Sequence, residues 1–489
     1  MSRINTNVTA LISTRILNNN NSQLNLSLER LSTGVRINRG SDDPAGLIAS
    51  ENLRKQIKGT ETAISNAERA INVIGTAEGA LSEVSDMLIE LQGLLLQSAN
   101  TGGMSEEEIS ANQLQADSIL NTIDRIANST EFEGIKLLNG NYDYTVSGTS
   151  TTFTSAINDL KVNGAKLVDG AAMNVSVAVT TSAQTAKAYL SGAISGGSLT
   201  LKLGSNRGST ELTFASGTNT SAITNSINTV MEVTGISATV SVGIVKLNTV
   251  DFGSNSYISV EKLSSSPNNT SIVGSDATTG DIITGGTPLN ETKDFGVDAV
   301  ASINGTQAVA SGKKISIKTA MLELEMTLTD DRASITGSSS FDITGGGANF
   351  AIGSVVDAIG LEAVGIYNVS SSSLGTSDDG RLSSLKTGGD NSMSSDNLYT
   401  SQRILESSIK DISGLRGRLG SLQKNTLDKT INSLTVTKEN LSAAESAIRD
   451  TDFATETSAL TRSQILVQSA TNVLSQANVS PQNVLQLLG

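Results

Sequence analysis

The sequence predicts an α+β, multidomain fold: a long α-helical coiled coil or bundle formed by both chain ends, with a β-rich outer region inserted between them. Three observations carry this. Between Pro44 and Asn100 no further proline occurs, and Leu53, Ala67, Ile74, Leu81, Leu88 and Leu95 fall on one seven-residue lattice. Near the other terminus Leu398, Leu405, Ile412 and Leu419 share a lattice, and Leu427, Leu434, Leu441 and Ile448 share another. The middle carries short alternating apolar runs instead. A seven-residue apolar repeat keeps one seam of a helix facing a partner over many turns, whereas a period of two marks half-buried strands. The terminal seams can close on each other or on other copies of the chain.

Residues 1–40 are polar, Asn-rich and weakly helical, with Leu17, Leu24 and Leu31 recurring every seven. The run Ser41–Ser50 restarts a helix. Asp42 or Asp43 can accept from the first-turn amides, and Pro44 sits where its missing N–H costs little. The helix is expected to reach about Asn100, a length of roughly 80 Å. Gly102 and Gly103 end it, and Ser105 with Glu106 to Glu108 caps the next, which runs to about Ser129. After Phe132 strands are expected at Met173/Val175/Val177/Val179, Leu199/Leu201/Leu203, Val240/Val242/Ile244 and Leu322/Leu324/Met326/Leu328, with one short helix through Ile223, Ile227 and Val230. This middle forms one or two β-rich domains. The helical pattern resumes near Ser394 and ends near Arg449. A last helix, Ala454 to Asn478, carries Leu460, Val467 and Leu474.

Composition narrows the function. The chain has 489 residues and a net charge of −14, without the basic patch a polyanion partner needs. Aromatics are only 3%, which counts against a deep small-molecule site. Cysteine and histidine are both absent, which removes disulfides, thiolate chemistry, the commonest general base and the usual zinc sites. No cofactor is expected, and no enzymatic role. The N-terminus lacks a secretory-signal pattern and no run of about 18 apolar residues exists, so neither a cleaved signal nor membrane insertion is expected.

The remaining motifs are weak. Two DFG triplets, Asp251–Gly253 and Asp294–Gly296, lack the rest of a kinase signature and are expected in turns. Gly345-Gly346-Gly347 lacks the strand–helix context of a phosphate loop. Asp42-Asp43, Asp330-Asp331 and Asp378-Asp379 lack calcium-loop spacing. The terminal stripes have no obvious domain to pack on, and small polar neighbours such as Asn19–Asn21, Ser463, Ser469 and Ala470 permit close helix approach. Self-assembly is the expected use of Leu17, Leu24, Leu31, Leu53, Ile74, Leu81, Leu88, Leu95, Leu405, Ile412, Leu419, Leu434, Leu441, Ile448, Leu460, Val467 and Leu474.

Several segments resemble bacterial flagellins: LSTGVRINRGSDDPAGLIAS (Leu31–Ser50), IGTAEGALSEV (Ile74–Val84), LLLQSAN (Leu94–Asn100), NLSAAESAIRDTDFATETSALTRSQIL (Asn440–Leu466) and VLSQANVSPQNVLQLL (Val473–Leu488). The stretch Ala301–Ile317 resembles a repeat of flagellin outer domains. The resemblance implies terminal helices over 1–40 and 453–489, a helical rod with a β-hairpin over 41–165 and 350–452, and a variable surface-exposed outer region over 166–349. It implies a structural subunit that self-assembles into the helical filament used for swimming. The alternatives are a hook–filament junction protein or a filament-displayed adhesin. It further implies extracellular location in the flagellum, export by the flagellar type III route without a cleaved signal, and a homopolymer of identical subunits. Junction proteins, a filament cap and an export chaperone are the implied further partners. An immune-receptor patch is implied at Leu94 and Gln97, weakened here by Glu90 where the family carries arginine.

Overall fold

A computed structural model describes residues 6–148, 157–167, 170–191, 194, 197–241, 243–265, 271–273, 291–329, 337–395 and 397–486. Helices α1 (Val8–Thr33), α2 (Pro44–Ser98) and α3 (Glu106–Ser129) come first. The short α4 (Thr220–Thr229) and α5 (Met231–Thr234) interrupt the strands. Helices α6 (Leu398–Ser421), α7 (Asp428–Arg449) and α8 (Phe453–Gln486) follow, with a π-helical turn, Leu422–Leu427, between α6 and α7. The chain forms two compact units. One comprises Met1–Glu68, Ile352–Val356 and Leu427–Gly489; the other comprises Arg69–Ala351 and Asp357–Thr426.

In the first unit α1 and α8 pair antiparallel. Asn7 Nδ2 donates to the Ala477 carbonyl at 2.8 Å, Asn20 Nδ2 to that of Leu466 at 3.4 Å, and Arg30 lies 3.7 Å from Glu456. The facing positions step by four and three alternately: Ser13, Leu17, Asn20, Leu24, Ser27 and Leu31 meet Leu460, Ser463, Val467, Ala470, Leu474 and Ala477. All are buried or half-buried. The seam alternates large with small residues, which lets the two backbones approach closely while the leucines fill the gaps. Asn7 caps α1 by accepting from the Ala10 amide at 3.0 Å, and Gly34 ends it at φ 75°, a conformation that favours glycine. The first half of α2 pairs antiparallel with α7 through Glu51–Arg449 (3.1 Å) and Glu61–Lys438 (3.0 Å).

In the second unit the rest of α2 packs with α3 and α6. Ala70, Ile74, Ala77, Leu81, Val84, Leu88, Leu91, Leu95 and Ser98 keep the same four–three rhythm and are all buried. Ala116, Leu120, Ile123 and Ala127 of α3 and Leu405, Ile412, Leu415 and Leu419 of α6 complete this core. Each fully buried leucine contributes about 1.5–3 kcal/mol relative to exposure. Ser105 and Glu108 form a reciprocal capping box at the start of α3. The segment after residue 366 is strapped to α3 by polar contacts. Asp124 accepts from the Ser371 amide (2.7 Å) and Lys386 (2.8 Å), and Gln113 both donates to the Leu385 carbonyl (2.9 Å) and accepts from the Met393 amide (2.7 Å).

The inserted region contains two separate β cores. In the first, a five-stranded antiparallel sheet runs in the order Thr306–Gln307, Val300–Ile303, Met173–Thr181, Gly337–Gly346, Tyr144–Ser147. A four-stranded sheet runs Val309–Ser311, Lys314–Lys318, Leu322–Leu328, Ile157–Ala165. Their inner faces share one cluster that includes Tyr144, Val162, Val177, Ile315, Leu324 and Phe341. The second core lies between the sheets Ser271–Val273, Thr185–Ser191, Ile244–Phe252, Ile236–Ser241 and Glu291–Phe295, Tyr257–Ser265, Leu199–Ser205, Ser209–Phe214. Ile223 and Ile227 of α4 seal it.

Several expectations need correction. A boundary at 165/166 cuts through the first β core, because Tyr144 and Val162 pack in the same cluster as Phe341. Val240 and Ile244 lie on two strands of a hairpin paired Ser241↔Ile244, not on one strand; Val242 lies outside the described residues. Asp251 and Asp294 are the next-to-last residues of strands ending at Phe252 and Phe295; Gly253 follows in a bend, and Gly296 lies outside any turn. Asp251 is held by Arg207 Nε at 2.7 Å, and Asp294 accepts the Lys187 amide at 2.7 Å. Asp378 accepts from Lys313 (2.6 Å) and Asn158 (2.6 Å), so its carboxylate is already engaged. Asp330-Asp331 falls outside the described residues.

Candidate assembly surface

The seventeen lattice residues divide into two groups by burial. Ile74, Leu81, Leu88, Leu95, Leu405, Ile412 and Leu419 are fully buried within the chain's own second unit. They serve the subunit's own core and have no surface left to offer another copy. Leu17, Leu24, Leu31, Leu53, Leu434, Leu441, Ile448, Leu460, Val467 and Leu474 are half-buried in the first unit. Two paired helices close a seam from one side only, so these positions keep a solvent-facing edge.

Further large apolar side chains lie off the seam. On α1 these are Leu11, Ile12, Ile16 and Leu28, and on α8 Ile465, Leu466 and Val473, all exposed and spread over more than one face of each helix; Leu11 reaches 64% and Ile465 61%. Large aliphatics in such number are uncommon on an isolated helix pair and mark a surface that is covered in use. The sequence lattices missed these residues because they do not share one face of either helix. They also missed the small half of the seam, since serine and alanine carry little apolar signal.

The linkers that enter and leave this pair are strongly polar. The Arg39 amide and then the Asn38 amide donate to Asp42 and hold its carboxyl below the ordinary value. Asp452 is lowered chiefly by the Thr455 amide, then by the Thr455 hydroxyl and the Ala454 amide. Asp43, rather than Asp42, caps α2, through the Gly46 amide at 2.9 Å. At the expected receptor patch Leu94 is buried at 8% exposure, whereas Gln97 and Glu90 face solvent and Glu90 accepts from Gln115 at 3.1 Å. Among the described residues no three carboxylates gather as a metal site, and no helix is long and apolar enough to cross a membrane.

The model of the bacterial flagellin N-terminal helical region matches residues 4–143, and that of the C-terminal helical region matches residues 403–488. These spans hold α1, α2, α3 and most of the helices after residue 403. Both ends of the chain match the bacterial flagellin helical regions. Curated flagellins are similar from end to end. The flagellin of Salmonella choleraesuis (strain SC-B67) is 29% identical over 524 residues, and polar flagellin B/D of Vibrio parahaemolyticus is 28% identical over 490 residues; each comparison covers 99% of both chains. A solved structure of FliC from Burkholderia pseudomallei is 14% identical, covers 72% of this chain and 98% of its own, and has a TM-score of 0.23. With flagellin helical regions at both ends and end-to-end similarity to flagellins, the chain is a structural subunit of the flagellar filament.

Proposed function

We propose that the chain polymerises with identical copies through the paired terminal helices, using the exposed side chains of Leu11, Ile12 and Ile16 on α1 and Ile465, Leu466 and Val473 on α8. These residues carry the reading: the α1–α8 seam is already used within the chain, and they are apolar surface left over on several faces of the pair, as contacts with more than one neighbouring copy would need. Burial of apolar area at roughly 25 cal/mol per Å2 supplies the driving force. It must offset the ordering of the terminal segments at roughly 1–2 kcal/mol per residue. Helices that order fully only on assembly couple folding to growth.

The same reading gives export through the flagellar type III route without a cleaved signal, an extracellular polymer, and contacts with junction, cap and chaperone proteins. It assigns no catalytic role. The test is a pair of aspartates at two of the exposed positions, Ile16→Asp with Val473→Asp. The variant should stay soluble, keep the far-ultraviolet spectrum of the β cores, and form no sedimentable polymer. Filaments at the unaltered yield would overturn the proposal.

A further inference from the structure

Within the second unit a cleft of about 810 Å3 lies between the outward face of the four-stranded sheet and helix α6. Glu323 and Glu325 alternate with the buried Leu322, Leu324 and Met326 along one strand, which turns their carboxylates out of the core and toward the cleft. Five carboxylates and six cations line the space. Each carboxylate already has a cation. Lys161 reaches Asp411 at 2.8 Å, Lys166 reaches Glu362 at 3.2 Å, Lys314 reaches Glu325 at 2.5 Å and Lys318 reaches Glu323 at 2.9 Å. Asp159 is taken by Arg381 at 2.8 Å. Two lining cations are left over, Lys410 and Arg418 of α6, and among the described residues neither has a carboxylate of its own. Arg418 gives Nη2 to the Gly365 carbonyl at 2.6 Å, while its Nη1 is buried without a hydrogen-bond partner. Burial is the largest influence on Arg418 and lowers its pKa. Tyr367, Glu323 and Glu325 act in the opposite sense, and both glutamates are already held by lysines.

Lys410 and Arg418 stand about 12 Å apart along the helix, two steps of i to i+4. Gly414 lies halfway between them in the lining. It is exposed, and a Cβ built there would meet nothing within 4 Å. A glycine inside a helix is unfavourable by itself. Here it leaves an open seat between two long cationic side chains that can both bend over it. Arginine offers a planar fork that matches the oxygens of a phosphate, and lysine adds a mobile point charge. Two spare positive charges suit one doubly charged ion. They do not suit a nucleic acid, which needs a run of cations.

We propose that this cleft binds one phosphate group, seated over Gly414 and held by Arg418 and Lys410. The bound group supplies the counter-charge that Arg418 lacks. The site lies wholly in the second unit and does not depend on how the chain polymerises. Isothermal titration of the full chain with sodium phosphate tests it, at slightly alkaline pH where the ion is doubly charged, with sodium chloride at equal ionic strength as the reference. One saturable site is expected, and phosphate should raise the melting temperature of the second unit by mass action. Arg418→Gln should abolish the binding. Lys410→Gln should weaken it by about tenfold, as the loss of one charge-assisted bond does. Gly414→Leu keeps both charges and fills the seat; it should abolish binding without lowering the melting temperature measured in chloride. Glycerol 3-phosphate separates the two sources of the group. Competition by it assigns the site to a phosphate ester, and failure to compete assigns it to the free ion; either outcome supports the site. No saturable heat from the unaltered chain in millimolar phosphate would overturn the proposal. So would equal affinity in the unaltered chain, Arg418→Gln and Gly414→Leu.

Discussion

Lys438 of α7 places its ammonium 3.0 Å from the Glu61 carboxylate on α2, and Lys58 adds a second cation at 3.4 Å. The Lys438 hydrogen bond is the largest of the causes that hold Glu61 below its ordinary value of 4.5. Both partners remain well exposed, so the pair acts in high dielectric and salt weakens it. Lys438→Glu should lower the melting temperature of the helical signal by setting two like charges together. The exchange Glu61→Lys with Lys438→Glu should restore most of it. The difference should shrink in about 1 M salt, where the screening length is near 3 Å. A deficit that survives both the exchange and the salt would show that the lysine acts through packing.

Acid should loosen the first unit. Asp42, Glu61 and Asp452 all have folded pKa values below the ordinary 3.8 or 4.5. A depressed carboxylate adds stability that is complete above its unfolded value and is lost as pH falls through the folded one. Exchange protection in the first half of α2 and in α7 should therefore hold at neutral pH and fall below about pH 4. Asp42→Asn should show part of that loss already at pH 7. A pH-independent profile between 7 and 3 would contradict the role given to these groups.

Burial ranks the seam positions. Leu88 is completely buried among the rod helices, whereas Leu24 is half-buried in the terminal pair. Leu88→Ala should destabilise the second unit by about 2–5 kcal/mol, as deletions in closed cores do. Leu24→Ala should leave that unit's urea midpoint unchanged and raise the monomer concentration at which polymer appears. Equal shifts of the urea midpoint for both would contradict the division of labour between the seams.

Gly59 offers a test in which local propensity and packing disagree. It lies inside α2, where alanine is favoured by about 1 kcal/mol. A Cβ there would stand 2.5 Å from the Ser354 carbonyl oxygen, a backbone atom that cannot swing aside. Gly59→Ala should destabilise the first unit despite the gain in propensity. A higher melting temperature would show that the 352–356 loop yields freely.

The helical ends were legible because period seven survives in Leu17 to Leu31, Leu53 to Leu95, Leu398 to Leu419 and Leu427 to Ile448, and because Ser105 with Glu108 and Pro44 punctuate them. What was hidden has physical reasons. Ser13, Ser27, Ser463 and Ala470 complete the terminal seam, yet their small or polar side chains look like surface. The use of each lattice could not be read either, since burial of Leu88 depends on α3 and α6 arriving from distant sequence. In the middle, single strands such as Leu322–Leu328 were plain from alternation. Their partners were not, because register between Ile157–Ala165 and Leu322–Leu328 is set by long-range pairing. The same nonlocality placed Tyr144 and Val162 in the first β core instead of the rod.

The most direct measurement is filament growth, followed by sedimentation and electron microscopy, of a chain ending at Asp452, just before α8. Removing α8 strips α1 of its seam partner and deletes the exposed Ile465, Leu466 and Val473, while α2, α3, α6 and both β cores remain intact. The account predicts a soluble, folded remnant that yields no polymer at any concentration the full chain needs. Long filaments growing from the shortened chain would contradict it.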